Sequence, residues 1–194
     1  ETSGTGLSVW RVRFAADDSH QLAFGTVKSK PDIAQLNTYG EVSQRFDFKE
    51  MRLLPVGDAP RKWRSPDDDT SNWRLNVLHN RFVNKGQVLQ LFQQNVERGR
   101  ITLDRDSQGD VRSYCWITGA DQRPTAIAVG TTEVSSGIFV YELAQEGECR
   151  LLRYFRDHNA WITTLSVSHD GKYLASGSID QTVKVWSLEG LEHR

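Results

Sequence analysis

Ser178 and Asp180 lie two residues apart in the stretch SGSIDQTVKVW (176–186), and His158 lies upstream. In a hydrolase these types would act as nucleophile, orienting carboxylate and general base. That chemistry also needs a strained elbow or an oxyanion hole, and no Gly-x-Ser-x-Gly occurs here. Ser178 sits inside a strand-like run and is followed by Ile179. The same residue types fit a second role. A buried turn carboxylate such as Asp180 is costly unless it accepts hydrogen bonds, which His158 and backbone N–H groups can supply. The Trp186 indole N–H is a donor only, and a serine hydroxyl can accept it while donating to the imidazole. With Ser178 in that position, the expectation is architecture and no catalytic residue.

Other reactive-looking groups are weaker. Asp67, Asp68 and Asp69 lack the spaced carboxylates and glycine of a calcium loop, so a solvated loop is the reading. Arg61, Lys62 and Arg64 interleave with Trp63 and could touch phosphate, but the cluster is short and abuts that acidic run. His169 precedes a hairpin turn at the far end of a strand from His158, which argues against a shared metal. Gly130 and Gly137 read as strand or turn glycines, and no phosphate loop or cofactor motif is present. Cys115 and Cys149 form no zinc-type pair; two reduced, packed thiols in a reducing compartment are expected, hence a cytoplasmic location.

The elements that must position these groups are short runs rich in Val, Ile, Thr and aromatics, bounded by Gly, Asp, Asn and Pro. They are LSVWRVRFA (7–15), QLAFGTV, GEVSQRFDF, WRLNVLHNRFV, GQVLQLFQQ, GRITLDRD, DVRSYCWI, TAIAVGTT, GIFVYELA, WITTLSVS, KYLASGSI and TVKVWSL. The one serious helical competitor is VLQLFQQNVERG. The runs come in threes with a spare run between, EMRLL and ECRLLRYF among them, at a spacing of roughly 45 to 50 residues, the period of propeller blades. The expected fold is all-β: a propeller segment of about four blades, at 7–55, 73–106, 110–148 and 149–190. A polar insertion occupies 56–72. Such a sheet cannot bury both faces alone, so neighbours must stack.

From His158 through the Asp170-Gly171 hairpin and the Asp180-Gln181 turn to Trp186, the last block resembles the WD-repeat family. The resemblance implies a buried tetrad of linking-loop histidine, second-strand serine, turn aspartate and third-strand tryptophan: His158, Ser178, Asp180 and Trp186. Two positions depart from the pattern, Asp157 where the family has glycine and Ser187 where it has aspartate. In TAIAVGTTEVSSGIFVYEL the turn aspartate is missing and Tyr141 replaces tryptophan. Over most of its length the chain also resembles the irregular propeller segments of large bacterial WD-repeat proteins, which implies a parent with an effector domain such as a caspase-like peptidase elsewhere. No peptidase signature occurs here.

Charge narrows the partners. Lys plus Arg number 24 and Asp plus Glu 25, so a net charge of −1 gives no general pull toward nucleic acid or an anionic membrane. No apolar run approaches a membrane span, and no signal peptide opens the chain. The first residue is Glu1, and a fragment of a longer protein is expected. The resemblance puts binding on the face carrying the linking loops, here Asn159, Trp161, Thr163 and Ile179. For Trp161, packing between blades is favoured over an interface anchor. The expected function is a non-enzymatic recognition platform for another protein or another domain of the parent chain, with self-association if the ring is open.

Overall fold

The computed structural model describes residues 2–4, 8–14, 22–27, 44–47, 52–55, 73–79, 87–118, 123–132, 137–144 and 146–191. The acidic run at 67–69, the basic cluster at 61–64 and the whole insertion at 56–72 lie outside them.

Fifteen strands form four antiparallel sheets among the described residues. Sheet 1 is β2 (Ser8–Phe14), β3 (Leu22–Val27), β4 (Gln44–Asp47) and β5 (Arg52–Pro55) in sequential order. Sheet 2 holds β6 (Trp73–His79), β7 (Gln87–Gln93) and β8 (Val96–Leu103). A short helix, α1 (Arg105–Gln108), leads into sheet 3: β9 (Val111–Thr118), β10 (Pro124–Thr131), β11 (Ile138–Glu142) and β12 (Leu151–Phe155). Sheet 4 runs β13 (Ile162–Val167), β14 (Tyr173–Ser178), β15 (Thr182–Ser187) and then β1 (Thr2–Gly4), the N-terminal strand.

The stretch VLQLFQQNVERG is strand. Gln94 and Asn95 take positive φ values of 51° and 66°, making the tight turn of a two-residue hairpin, and β7 and β8 pair on either side. Alternation decides against the helix: Leu89 and Leu91 are buried on one face, and Val88, Gln90 and Phe92 lie on the other.

Two strands fall elsewhere than the spacing predicts. Leu151–Phe155 is assigned to the 149–190 block by sequence, yet β12 pairs with β11 as the outer strand of sheet 3. The chain turns back after β11, completes that sheet, and only then crosses to β13. The outer position of sheet 4 is filled from the other end of the chain, with Thr2 opposite Lys184, Ser3 opposite Val183 and Gly4 opposite Thr182. Thr-Ser-Gly carries no strand signal, so backbone pairing alone recruits it.

Among the described residues, three hydrophobic cores fill the spaces between sheets. Trp73, Leu89, Leu91, Ile101 and Leu103 of sheet 2 pack on Trp116, Ile127, Val129, Phe139 and Tyr141 of sheet 3. Cys115, Ile117, Ala128 and Val140 of sheet 3 pack on Ile162, Leu165 and Leu174 of sheet 4. Val9, Val12, Phe14, Leu22 and Phe24 of sheet 1 pack on Ala175 and Val183 of sheet 4. Each large side chain buried this way contributes roughly 1.5–3 kcal/mol. The sheets therefore stack in the order 1, 4, 3, 2, with the last sheet in sequence lying against the first.

Glycines on the second strands set how closely the sheets approach. A Cβ at Gly177 would stand 2.6 Å from Val9 Cγ1 and 2.9 Å from Val12 Cγ2 of β2. A Cβ at Gly130 would stand 2.6 Å from Ile162 Cγ2 of β13. Beside each glycine an inner-strand hydroxyl bonds to the next sheet: Ser113 donates to Ile162 O at 3.0 Å, and Thr163 donates to Val9 O. The Thr164 and Ser166 hydroxyls accept from Val12 N–H at 3.2 Å and Phe14 N–H at 3.0 Å. Sheet 1 is fastened to sheet 4 by hydroxyls as well as by apolar contact.

Candidate functional site

The polar cluster of sheet 4 is built by its two turns. Gly171, at φ 72°, closes the β13–β14 hairpin, and Gln181, also at φ 72°, closes β14–β15. The second turn fixes the register: Gly177 opposite Val183, Ser176 opposite Lys184 and Leu174 opposite Trp186. His158 arrives from the link between β12 and β13 and is buried.

The bonds run in one line. Asp180 Oδ2 lies 2.8 Å from His158 Nδ1, His158 Nε2 lies 2.7 Å from Ser176 Oγ, and Trp186 Nε1 donates to Ser176 Oγ at 2.9 Å. Because the indole can only donate, the Ser176 proton goes to Nε2, and the imidazole carries its own proton on Nδ1, facing the carboxylate. The Phe155 ring lies against the Trp186 indole at a centroid distance of 4.9 Å.

The serine in this line is Ser176, a correction to the expected Ser178. Both hydroxyls leave the same side of β14, since side chains alternate, so residue type and face do not separate them. Distance along the strand does. Ser176 is two residues from Leu174, the position facing Trp186, within diagonal reach of an indole. Ser178 is four residues away, about 13 Å. Its hydroxyl instead donates to Ala160 O at 3.1 Å and accepts from Asp180 N–H at 3.1 Å, tying the linking loop to the turn. Counting the register outward from the Asp180-Gln181 turn is the sequence signal that picks Ser176.

Asp180 collects four donors. Oδ2 accepts from His158 and from Asn159 N–H at 2.9 Å; Oδ1 accepts from Thr182 N–H at 3.0 Å and the Thr182 hydroxyl at 2.6 Å. Burial alone would raise its pKa, but the bonds from His158, Thr182 and Asn159 overcome that and hold the carboxyl well below the usual carboxylate range. Asp157, in the place of the family's glycine, has a partner of its own. The Lys184 amine pairs with its carboxylate and donates to its carbonyl oxygen at 2.7 Å, which lowers the Asp157 pKa. Lys184 thereby holds the loop on one side of His158 while Ser178 holds it on the other.

Asp180, His158 and Ser176 have the hydrogen-bond sequence and tautomer of a hydrolase triad. Access separates the two cases. Ser176 is 0% exposed and its oxygen is already occupied by the indole, so no carbonyl carbon can reach it. No group of three or more His, Cys, Asp or Glu able to hold a metal occurs among the described residues, and Cys115 and Cys149 are buried and outside any disulfide. No helix among them is long and apolar enough to cross a membrane.

The four expected face residues divide. Asn159 is exposed, Trp161 is 45% exposed, and half-buried Ile179 joins them through its N–H to Trp161 O at 3.2 Å. Trp161 is a rim group: at that exposure it belongs to none of the cores between sheets, against the expectation that it packs between blades. Thr163 is set apart, since its hydroxyl is used in bonds to Val9 O and to Gly177 O at 3.0 Å.

A family model described as WD domain, G-beta repeat, matches residues 149–187. A stretch of 34 residues is 62% identical to Lissencephaly-1 homolog of Caenorhabditis briggsae, covering 18% of this chain and 9% of that protein. A stretch of 41 residues is 46% identical to Nuclear distribution protein PAC1 of Candida tropicalis, covering 21% of this chain and 8% of that one. The matches thus span less than a tenth of these relatives' length. A chain in the crystal structure of a mitotic checkpoint complex aligns over 93% of this chain and 50% of its own length, with TM-score 0.42 and 12% identity.

Proposed function

We propose that the chain, whose residues 149–187 match the WD domain, G-beta repeat, is a non-enzymatic platform that binds another protein, or another domain of its own parent, through the linking-loop end of sheet 4. One observation carries this reading: Trp161 is exposed beside Asn159 and Ile179, on a sheet whose reactive groups are all locked inside. Aromatic anchors on a stiff surface supply most of the binding energy of an interface. Asn159 and Ile179 are held by bonds to Asp180 and Trp161, so little ordering is needed on binding. Two buried cysteines outside any disulfide suit a reducing, cytoplasmic setting.

The finer reading, a segment of a larger bacterial protein with a caspase-like or other effector domain elsewhere, rests on the style of the degenerate blades. The relatives matched come from a nematode and a yeast.

The test is affinity capture with the parent protein beside its Trp161→Ala and Asn159→Ala forms. Retained melting temperature with loss of the captured partner supports the face. Capture unchanged by both substitutions would overturn it.

A further inference from the structure

The link from β12 to β13 is clamped along its middle. Lys184 holds Asp157 by its carboxylate and its carbonyl, and Ser176 and Asp180 hold His158. Asp180 also takes the Asn159 N–H at 2.9 Å, and the Ser178 hydroxyl takes the Ala160 carbonyl at 3.1 Å. The two ends of the link, Arg156 and Trp161, are left exposed, and the Arg156 guanidinium has no partner among the described residues.

Sheet 3 brings a second cation to the same end. Ser113 Oγ donates to Ile162 O at 3.0 Å, which sets the start of β9 beside the start of β13. Arg112 and Trp161 are the residues immediately before that pair. Arg112 is also the residue a bulge leaves over, skipped between the pairs Gly130–Ser113 and Thr131–Val111. A bulge re-aims the side chain it carries. Arg112 is exposed, and its guanidinium too has no partner among the described residues.

The carboxylates near these groups are already used. Asp180 accepts four donors inside the sheet, and Asp157 pairs with Lys184. Asp110, two residues before Arg112, is half-buried and forms no ion pair with it. A rigid support thus presents one indole and two guanidinium groups without counter-charge. We infer that this face takes an extended acidic segment of a partner protein, with an apolar side chain laid on Trp161 and carboxylates meeting Arg112 and Arg156. The inference rests on the linking-loop end being the binding surface and adds the chemistry of what binds there. Five peptide steps separate Arg156 from Trp161, so they stand at most about 17 Å apart, the span of about five extended residues. The clamped link needs no ordering on binding, and rim charges of this kind select the partner more than they tighten it.

Selection of a random peptide library against the full chain, followed by fluorescence anisotropy of the recovered peptides, tests this. Recovered peptides should carry Asp or Glu within about five residues of an aromatic or large aliphatic residue, and should lose binding to Trp161→Ala. Replacing their acids by the amides should weaken binding about fivefold or more at low salt. That difference should shrink at high salt. Arg112→Glu combined with Arg156→Glu should turn the selection toward peptides bearing Lys and Arg. Should that reversal disturb folding, Arg112→Gln with Arg156→Gln is read instead, and it should erase the acidic bias. Trp161-dependent peptides with no acidic bias, or a bias unchanged by the arginine substitutions, would overturn the inference and leave the face standing. Peptides that bind Trp161→Ala as well as the native chain, or no peptide recovered, would overturn the face and the inference together.

Discussion

Ser176 Oγ and His158 Nε2 stand 2.7 Å apart with Ser176 wholly buried, and this bond joins the second strand of sheet 4 to its linking loop. Through Ser176 the loop is tied to Trp186; through His158 it is tied to Asp180 and the β14–β15 turn. Four side chains from four segments of the repeat thus determine one arrangement. A partly satisfied network would be worse than none, because each orphaned donor or acceptor stays buried.

Ser176→Ala is the sharpest probe of that network. It leaves the Trp186 indole N–H and His158 Nε2 without partners in a closed site, at a cost of about 2–3 kcal/mol. Ser178 is as buried as Ser176, but Ser178→Ala frees only a carbonyl and an N–H of the partly exposed residues Ala160 and Asp180, at about 1 kcal/mol. Urea denaturation of the two variants should rank Ser176→Ala as clearly the less stable. Equal midpoints, or the reverse order, would contradict the assignment of the bridging hydroxyl.

Asp180 makes stability depend on pH with a definite sign. Its folded pKa lies below the unfolded value of about 3.9, so its contribution is fully present above that pH and is lost as pH falls below it. Chemical denaturation followed from pH 6 to pH 3 should show the native protein losing more stability than Asp180→Asn over the acid limb. At neutral pH the variant should already be weaker by about 1.5–3 kcal/mol, because an amide turns N–H groups toward donors. Parallel pH profiles for the two proteins would remove Asp180 as the titrating group.

Much of this was legible in the residues, and the gaps have physical causes. The strand runs and the Asp170-Gly171 hairpin follow from alternation and turn chemistry, while the meeting of His158, Asp180 and Trp186 was implied by the resemblance to the WD-repeat family. Ser176 and Ser178 share a face, so only the register distinguishes them, and residue type carries no register. Thr2–Gly4 was invisible because its place on β15 is decided by a free edge contributed by residues far along the chain. For Thr163 the reading lacked the neighbouring sheet: a hydroxyl on an exposed-looking strand start is consumed by the Val9 carbonyl 154 residues away. Contacts between sheets leave no local pattern.

Gly177→Ala tests how sheet 1 seats on sheet 4. The added methyl would fall 2.6 Å from Val9 Cγ1 and 2.9 Å from both Val12 Cγ2 and Thr164 Cγ2, with three β-branched side chains unable to turn aside together. Separating the sheets would also stretch the hydroxyl bonds from Thr164 and Ser166 to β2. The expected loss is about 1–3 kcal/mol, with raised hydrogen exchange at the Val12 and Phe14 amides. An unchanged midpoint with unchanged exchange would mean that the two sheets are not held at this spacing in solution.

Removing residues 1–4 tests closure of sheet 4 by the N-terminus. The deletion uncovers the edge of β15 at Thr182, Val183 and Lys184, next to the turn that carries Asp180. It touches none of the side chains in the polar line, so any effect passes through the backbone ladder alone. The melting temperature should fall, and the exposed edge should drive association, since an unpaired strand is a template for another chain. Sedimentation at rising concentration reads the second effect, and exchange at the Thr182–Lys184 amides reads the first. A truncated chain that melts like the intact one and stays monomeric would show that the Thr2–Gly4 pairing contributes nothing to holding the repeat together.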